Sequence, residues 1–156
     1  MSTNGFVSFI AKGERKDVYN HSDSYPSGLG LAVLSWLRVA RDGGLPEAIS
    51  RLRVVDDFSD DNVPPTEADK LALAEYTDSR VGGPDEHWYR LTRNLQGNPH
   101  AMLTAGYAYG QGEPYGYVYV IDADAETFRV EGDGTPASWS WSSLPTEDEF
   151  LAKLGE

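Results

Sequence analysis

The sequence predicts an α+β domain: an antiparallel sheet built from N- and C-terminal hairpins, with a helical insertion packed on one side, in the order ββ-αααα-ββ-α. Three observations predict it. A β-prone apolar run, Gly5-Phe6-Val7-Ser8-Phe9-Ile10-Ala11, opens the chain before a turn at Lys12-Gly13-Glu14. The middle of the chain carries apolar residues at helical spacing. From Tyr115 to Asp122 the period drops to two, which is the side-chain period of a strand. With 156 residues, 40% of them hydrophobic and 24% charged, the chain suits one globular domain, 1–156, able to bury about two-thirds of its unfolded surface.

The elements follow in order. A second run around residues 16–20 completes the N-terminal hairpin. Leu29, Val33, Trp36, Leu37 and Ala40 share one helical face, with Arg38 and Arg41 on the other, and Gly43-Gly44 ends that helix. Pro46 suits a first turn, and Ala48, Ile49 and Leu52 extend a second helix to Val54 or Val55. Clustered aspartates and two prolines make 56–65 a surface loop. Thr66 with Asp69 three residues later resembles a capping box, so Leu71 and Ala74 fall on a third helix that stops near Thr77. After Gly82-Gly83-Pro84, Trp88, Leu91 and Leu95 give a fourth helix over 85–95. His100, in Asn98-Pro99-His100, falls in a turn. Tyr115, Tyr117, Tyr119 and Ile121 lead through the acidic turn 122–126 into a returning strand at Thr127-Phe128-Arg129-Val130. Trp139 and Trp141 read as one strand with both rings on one face, and Thr146-Glu147-Asp148-Glu149 starts a terminal helix whose Phe150, Leu151 and Leu154 pack on the sheet.

Composition narrows the function classes. No apolar run approaches the roughly 18 residues of a membrane span, and the start lacks the basic and apolar regions of a signal peptide. With no cysteine, a cytoplasmic location is expected, and thiolate zinc sites are excluded. The three histidines, His21, His87 and His100, lack metal-ligand spacing, so no metal and no cofactor is expected. The net charge of −12 disfavours direct nucleic-acid binding. Its acids are uneven, with four aspartates in 56–61 and ten acids against Arg129 and Lys153 in 113–156. Such runs keep a surface solvated, or they dock a basic protein by imitating nucleic acid. The oligomeric state is not legible.

Chemistry-bearing residues are densest in 19–30, Tyr-Asn-His-Ser-Asp-Ser-Tyr-Pro-Ser-Gly-Leu-Gly, at the junction of the second strand and the first helix. A strand persisting through Asp23 would put Tyr19, His21 and Asp23 on one face, where imidazole and carboxylate share a proton or a ligand. Pro26 opens the helix, and Ser27, Gly28 and Gly30 leave first-turn amides for an anion, with Tyr25 free to stack or donate. The alternative is structural: His21 and Asp23 cap and brace the loop while Tyr25 and Pro26 pack.

Tyr19, His21, Asp23, Tyr25, Pro26, Gly28 and Gly30 fit the pattern Tyr/Cys-x-His-x-Asp-x-Tyr-Pro-x-Gly-x-Gly. In this the chain resembles a family of small uncharacterised proteins of bacteria and their phages. The resemblance extends through Tyr76-Thr77-Asp78, Trp88-Tyr89, Gln96-Gly97 and the hairpin 117–130, and departs where Ser24 replaces a frequent glycine and no tryptophan adjoins the histidine. It implies a shared α+β fold, a phage-type accessory protein and, for a phage-encoded chain, the host cytoplasm. It implies no activity.

Three expectations follow. The first is a binding protein for a small anionic or nucleotide-like ligand at the 19–30 junction, and the second an acidic inhibitor or nucleic-acid mimic that meets a basic host protein. The third is a hydrolase using His21 and Asp23, although no Gly-x-Ser-x-Gly elbow, phosphate-binding loop or complete catalytic set accompanies them.

Overall fold

The computed structural model describes residues 3–59, 63–81, 87–132 and 136–155. Strands β1 (Gly5–Ala11) and β2 (Glu14–Asn20) lead through a π-helical turn, Pro26–Gly30, into α1 (Leu31–Ala40) and α2 (Leu45–Arg51). Strand β3 (Arg53–Val55), α3 (Glu67–Ala72), α4 (Trp88–Thr92), α5 (Pro99–Ala105) and β4 (Tyr107–Tyr109) follow. Strands β5 (Tyr117–Asp122), β6 (Thr127–Gly132) and β7 (Ala137–Ser140) and helix α6 (Glu147–Lys153) complete the order.

The main sheet runs β2-β1-β5-β6-β7, and both expected hairpins are present in it. All its neighbours are antiparallel except β1 and β5, which pair in parallel from Gly5↔Tyr117 to Ile10↔Asp122. The helical insertion leaves from Asn20 and returns at Tyr117 at the same end of the sheet, both beside Gly5, so β5 runs opposite to β2 and therefore parallel to the β1 that lies between them.

Alternation gives the sheet two unlike faces. Val7 and Phe9 of β1 share a face with Tyr119 and Ile121 of β5, and α1 and α6 cover it. Phe9 meets Trp36 edge-on at 6.1 Å, while Phe150 stacks on Phe128 at 5.9 Å and meets Trp139 at 5.4 Å. The opposite face carries Asp17, Arg15, Glu131, Arg129 and Asp122, linked by ion pairs of 2.9–3.6 Å over the buried Ser8 and Val120. The long Arg15 and Arg129 side chains lie over this row and reach its carboxylates, of which Asp122 is itself buried.

Some elements depart from expectation. The second helix ends at Arg51, and Arg53–Val55 forms a two-stranded parallel sheet with Tyr107–Tyr109. Leu52 already has extended dihedrals, and the β-branched Val54-Val55 pair suits a strand better than a helix end. His100 lies in a helix, because Asn98 accepts from the Ala101 amide at 3.0 Å and Pro99 occupies the first turn. The fourth helix occupies Trp88–Thr92 and continues as a 3₁₀ turn to Leu95; residues 85 and 86 lie outside the described residues. Only Trp139 belongs to β7, since Trp141 starts a 3₁₀ turn and is buried with its indole N–H donating to the Thr127 carbonyl. The capping box expected at Thr66/Asp69 is formed, and Thr146/Glu149 forms a second one at the expected start of the terminal helix.

Several of the aspartates serve this framework. Asp124 accepts from the Lys12 and Gly13 amides at 2.7 and 2.8 Å, clasping one hairpin turn to the other. Burial alone would raise the pKa of Asp69, but Thr66, the Tyr107 hydroxyl and Arg53 outweigh it and hold that carboxyl below its usual range. At Asp122 burial is likewise overcome, there by Arg129 and the Ala125 and Asp124 amides. A carboxyl depressed in the folded state adds stability that is present above the unfolded pKa of about 3.9 and lost as pH falls through the folded value. Urea unfolding should therefore show little change from these groups between neutral pH and about pH 5, then a loss of stability below about pH 4. Asp69→Asn should be less stable at neutral pH and lose less on acidification.

Candidate functional site

Strand β2 stops at Asn20 because its buried amide turns inward, donating to the Ser22 carbonyl at 2.7 Å and the Ser24 hydroxyl at 2.8 Å. Asp23 then takes a left-handed φ of 56°, a conformation that aspartate tolerates better than most residues. The shared face that a longer strand would have given Tyr19, His21 and Asp23 is therefore absent. Tyr19 and His21 do come together, with hydroxyl and Nδ1 at 3.1 Å. His21 and Asp23 line different pockets, so the pairing assumed for a hydrolase is not formed.

The helix start is also engaged internally. The Gly28 and Gly30 amides donate to the Tyr25 carbonyl at 2.9 and 3.3 Å, and the Leu29 amide donates to the Asp23 carbonyl at 2.9 Å. A Cβ on Gly28 would lie 2.3 Å from that same Asp23 oxygen, and one on Gly30 would meet Phe150 and Tyr119 at 3.0 Å. Both glycines are required by chain packing. Their amides are not left for an anion, Tyr25 is half-buried, and Ser27 is exposed.

Tyr19 and His21 instead line a cleft of about 410 Å³ between the end of β2, the end of β4 and the start of α4. Four rings form a closed circuit there: Tyr19 to His21 at 6.2 Å, His21 to Tyr89 at 6.4 Å, Tyr89 to Tyr109 at 5.1 Å, and Tyr109 back to Tyr19 at 6.5 Å. Tyr19 and Tyr109 are buried, whereas His21 and Tyr89 are partly open to solvent. The two edge-on contacts at Tyr89 match the ring quadrupoles, positive edge to negative face. Arg90, His87, Gln111, Phe58 and Asp57 complete the lining.

Asp57 holds this arrangement. Helix α4 has no side-chain cap from His87, and the Asp57 carboxylate supplies one from a distant loop, accepting from the Trp88 and Tyr89 amides at 2.8 and 3.0 Å. Its Oδ2 also faces the Tyr109 hydroxyl at 3.4 Å. Burial, and then the nearby Asp57 charge, push the Tyr109 hydroxyl pKa well up. Tyr19 is pushed up to about 12, by burial first and by Tyr115 and Tyr89 next, with Arg93 opposing. Both phenols remain protonated donors at neutral pH.

A smaller pocket of about 220 Å³ lies on the other side of the junction, lined by Asn20, Ser22, Asp23, Gly28, Arg93 and Gln96 among others. Gln96 accepts from the His21 amide through Oε1 at 2.9 Å, which fixes its orientation and leaves the buried Nε2 without an acceptor. Such an omission costs about 1–3 kcal/mol.

Sequence reasoning placed Tyr19 and His21 in the site but did not gather Asp57, Tyr89, Arg90 and Tyr109 around them. Asp57 is one of four neighbouring aspartates, and nothing local separates the capping carboxylate from the rest. Among the described residues, no group of three or more acidic or histidine side chains is arranged to hold a metal ion, and no helix is long and apolar enough to cross a membrane. Compared with known protein families, curated proteins and solved structures, the chain finds no match.

Proposed function

We propose that the protein binds a small planar ligand of anionic, nucleotide-like chemistry in the cleft beside Tyr19 and His21. The observation that carries this reading is the convergence of Tyr19, His21, Tyr89 and Tyr109 with Arg90 around about 410 Å³, a volume within the roughly 300–1,000 Å³ of small-molecule sites. Each residue type suits a part of such a ligand. The half-buried Tyr89 and His21 rings offer surfaces on which a heteroaromatic ring stacks, Gln111 reads its polar edge, and Arg90 attracts its negative charge. The anion-binding role moves from the helix start, whose amides are internally bonded, to this cleft.

A panel of nucleosides and nucleotides tested by thermal unfolding distinguishes this reading. At a hundredfold excess over its Kd, a single-site ligand stabilises the fold by about 2.7 kcal/mol. For a domain of this size that corresponds to an upward shift of about 5–10 °C in Tm. His21→Ala should reduce the shift, and a panel producing none would remove the proposal.

A second reading rests on the acidic surface, where Glu147 and Asp148 stand exposed in the first turn of α6. It predicts a basic protein partner whose affinity falls steeply with salt and is indifferent to His21→Ala. Many other acids are engaged in caps, turns and ion pairs, Asp56, Asp57, Asp69, Asp122 and Asp124 among them, and this places the ligand reading first.

A further inference from the structure

The smaller pocket at the strand-to-helix junction has an electrostatic character unlike the cleft. Asp23 and Arg93 both line it, so a space of about 220 Å³ is bordered by one acidic and one basic residue. Neither forms an ion pair or a side-chain hydrogen bond among the described residues: Asp23 contributes only its main-chain carbonyl, to Leu29, and Arg93 is felt only as a more distant charge, by Tyr19 and Asp78. Two opposite charges on one small pocket that do not pair with each other leave both ends open to a third molecule.

The pocket's size and remaining groups narrow its ligand. The volume lies below the roughly 300 Å³ at which sites for larger ligands begin, which suits a compact molecule. A simple anion would be drawn to Arg93 and opposed by Asp23, and a simple cation the reverse. A molecule carrying both charges is favoured at each end. We infer that this pocket takes a small zwitterion of the α-amino acid class, its carboxylate against Arg93 and its ammonium against Asp23.

Gln96 strengthens the assignment of ends. Its Oε1 is committed to the His21 amide, and its Nε2 carries two protons without an acceptor, on a residue that lines the same pocket as Arg93. A carboxylate at Arg93 would supply that acceptor after a small shift of the Gln96 side chain, and an ammonium there would not. Through that bond Gln96 joins this pocket to the backbone of the histidine that lines the larger cleft.

The test uses the intact chain and ligands that differ at one end. Glycine and L-alanine at millimolar concentration should shift the backbone amide resonances of Asp23, Arg93, Gln96 and Gly97. N-acetylglycine, which lacks the ammonium, and glycinamide, which lacks the carboxylate, should each bind at least about tenfold more weakly, a difference of about 1.4 kcal/mol. Asp23→Asn and Arg93→Gln, checked for folding by circular dichroism, should each reproduce that loss for glycine. The inference is overturned if no zwitterion shifts those resonances, or if N-acetylglycine or inorganic phosphate binds as well as glycine does, which would make the pocket a plain anion site. The comparison of truncated ligands on the unaltered protein holds even if a variant fails to fold. Neither result bears on whether nucleotides occupy the cleft.

Discussion

Replacing Asp57 by alanine is expected to destabilise the fold by about 2–4 kcal/mol, lowering Tm by about 5–15 °C, and to abolish ligand binding in the cleft together with it. The carboxylate answers two amides at the start of α4, and without it both are left at a helix start that has no other side-chain cap. The buried Tyr109 hydroxyl loses its carboxylate partner in the same step. Because Tyr89 sits on that helix turn and packs edge-on against both Tyr109 and His21, its ring is released as the turn frays. Asp57→Asn keeps the shape and one acceptor oxygen, so its loss should be smaller, about half by the number of acceptors retained. Equilibrium unfolding of the three proteins checks the order. If Asp57→Ala proves as stable as the parent, the cap is not holding α4.

Gly28→Ala is expected to have an effect of similar size for a different reason. The added methyl would lie 2.3 Å from the Asp23 carbonyl oxygen, a backbone atom that also accepts from the Leu29 amide. Relief requires the 23–28 turn to open, and the cost should be about 2–4 kcal/mol, in the range of backbone strain combined with a lost hydrogen bond. The measurement also separates two meanings of the glycine. A packing role predicts the full loss of stability in ligand-free protein, measured by denaturant unfolding. A role in admitting a ligand to the amide predicts a stable variant that fails only in binding.

The parts of the fold set by short-range patterning were legible. The β-prone apolar run of β1, the period-two runs of β5 and β6, the capping box at Thr66 and the helix start at Thr146 are local signals, and each appears where the sequence placed it. Signals requiring a distant partner were not. The β-branched Val54 and Val55 were a local hint of a strand, but the partner that completes it, Tyr107–Tyr109, lies some fifty residues away. The parallel pairing of β1 with β5 joins segments over a hundred residues apart and leaves no mark in either one. The site divides the same way. Tyr19 and His21 are neighbours in sequence and were found, and Asp23 fell away when Asn20 ended the strand. Asp57, Tyr89 and Tyr109 come from three other segments and meet them only through packing.

The interior place of β1, between β2 and β5, bears on how the chain acquires its structure during synthesis. The first hairpin emerges early, yet the far side of β1 has no strand beside it until residues 117–122 have been made. Throughout that interval a strand with Phe6, Val7 and Phe9, wholly buried at the end, offers its unpaired backbone to any other extended segment. Chains shortened before Tyr117 should therefore aggregate instead of yielding a smaller stable domain. Refolding of the whole protein should be limited by the closure of this distant pair, slower than the helices it encloses and sensitive to protein concentration.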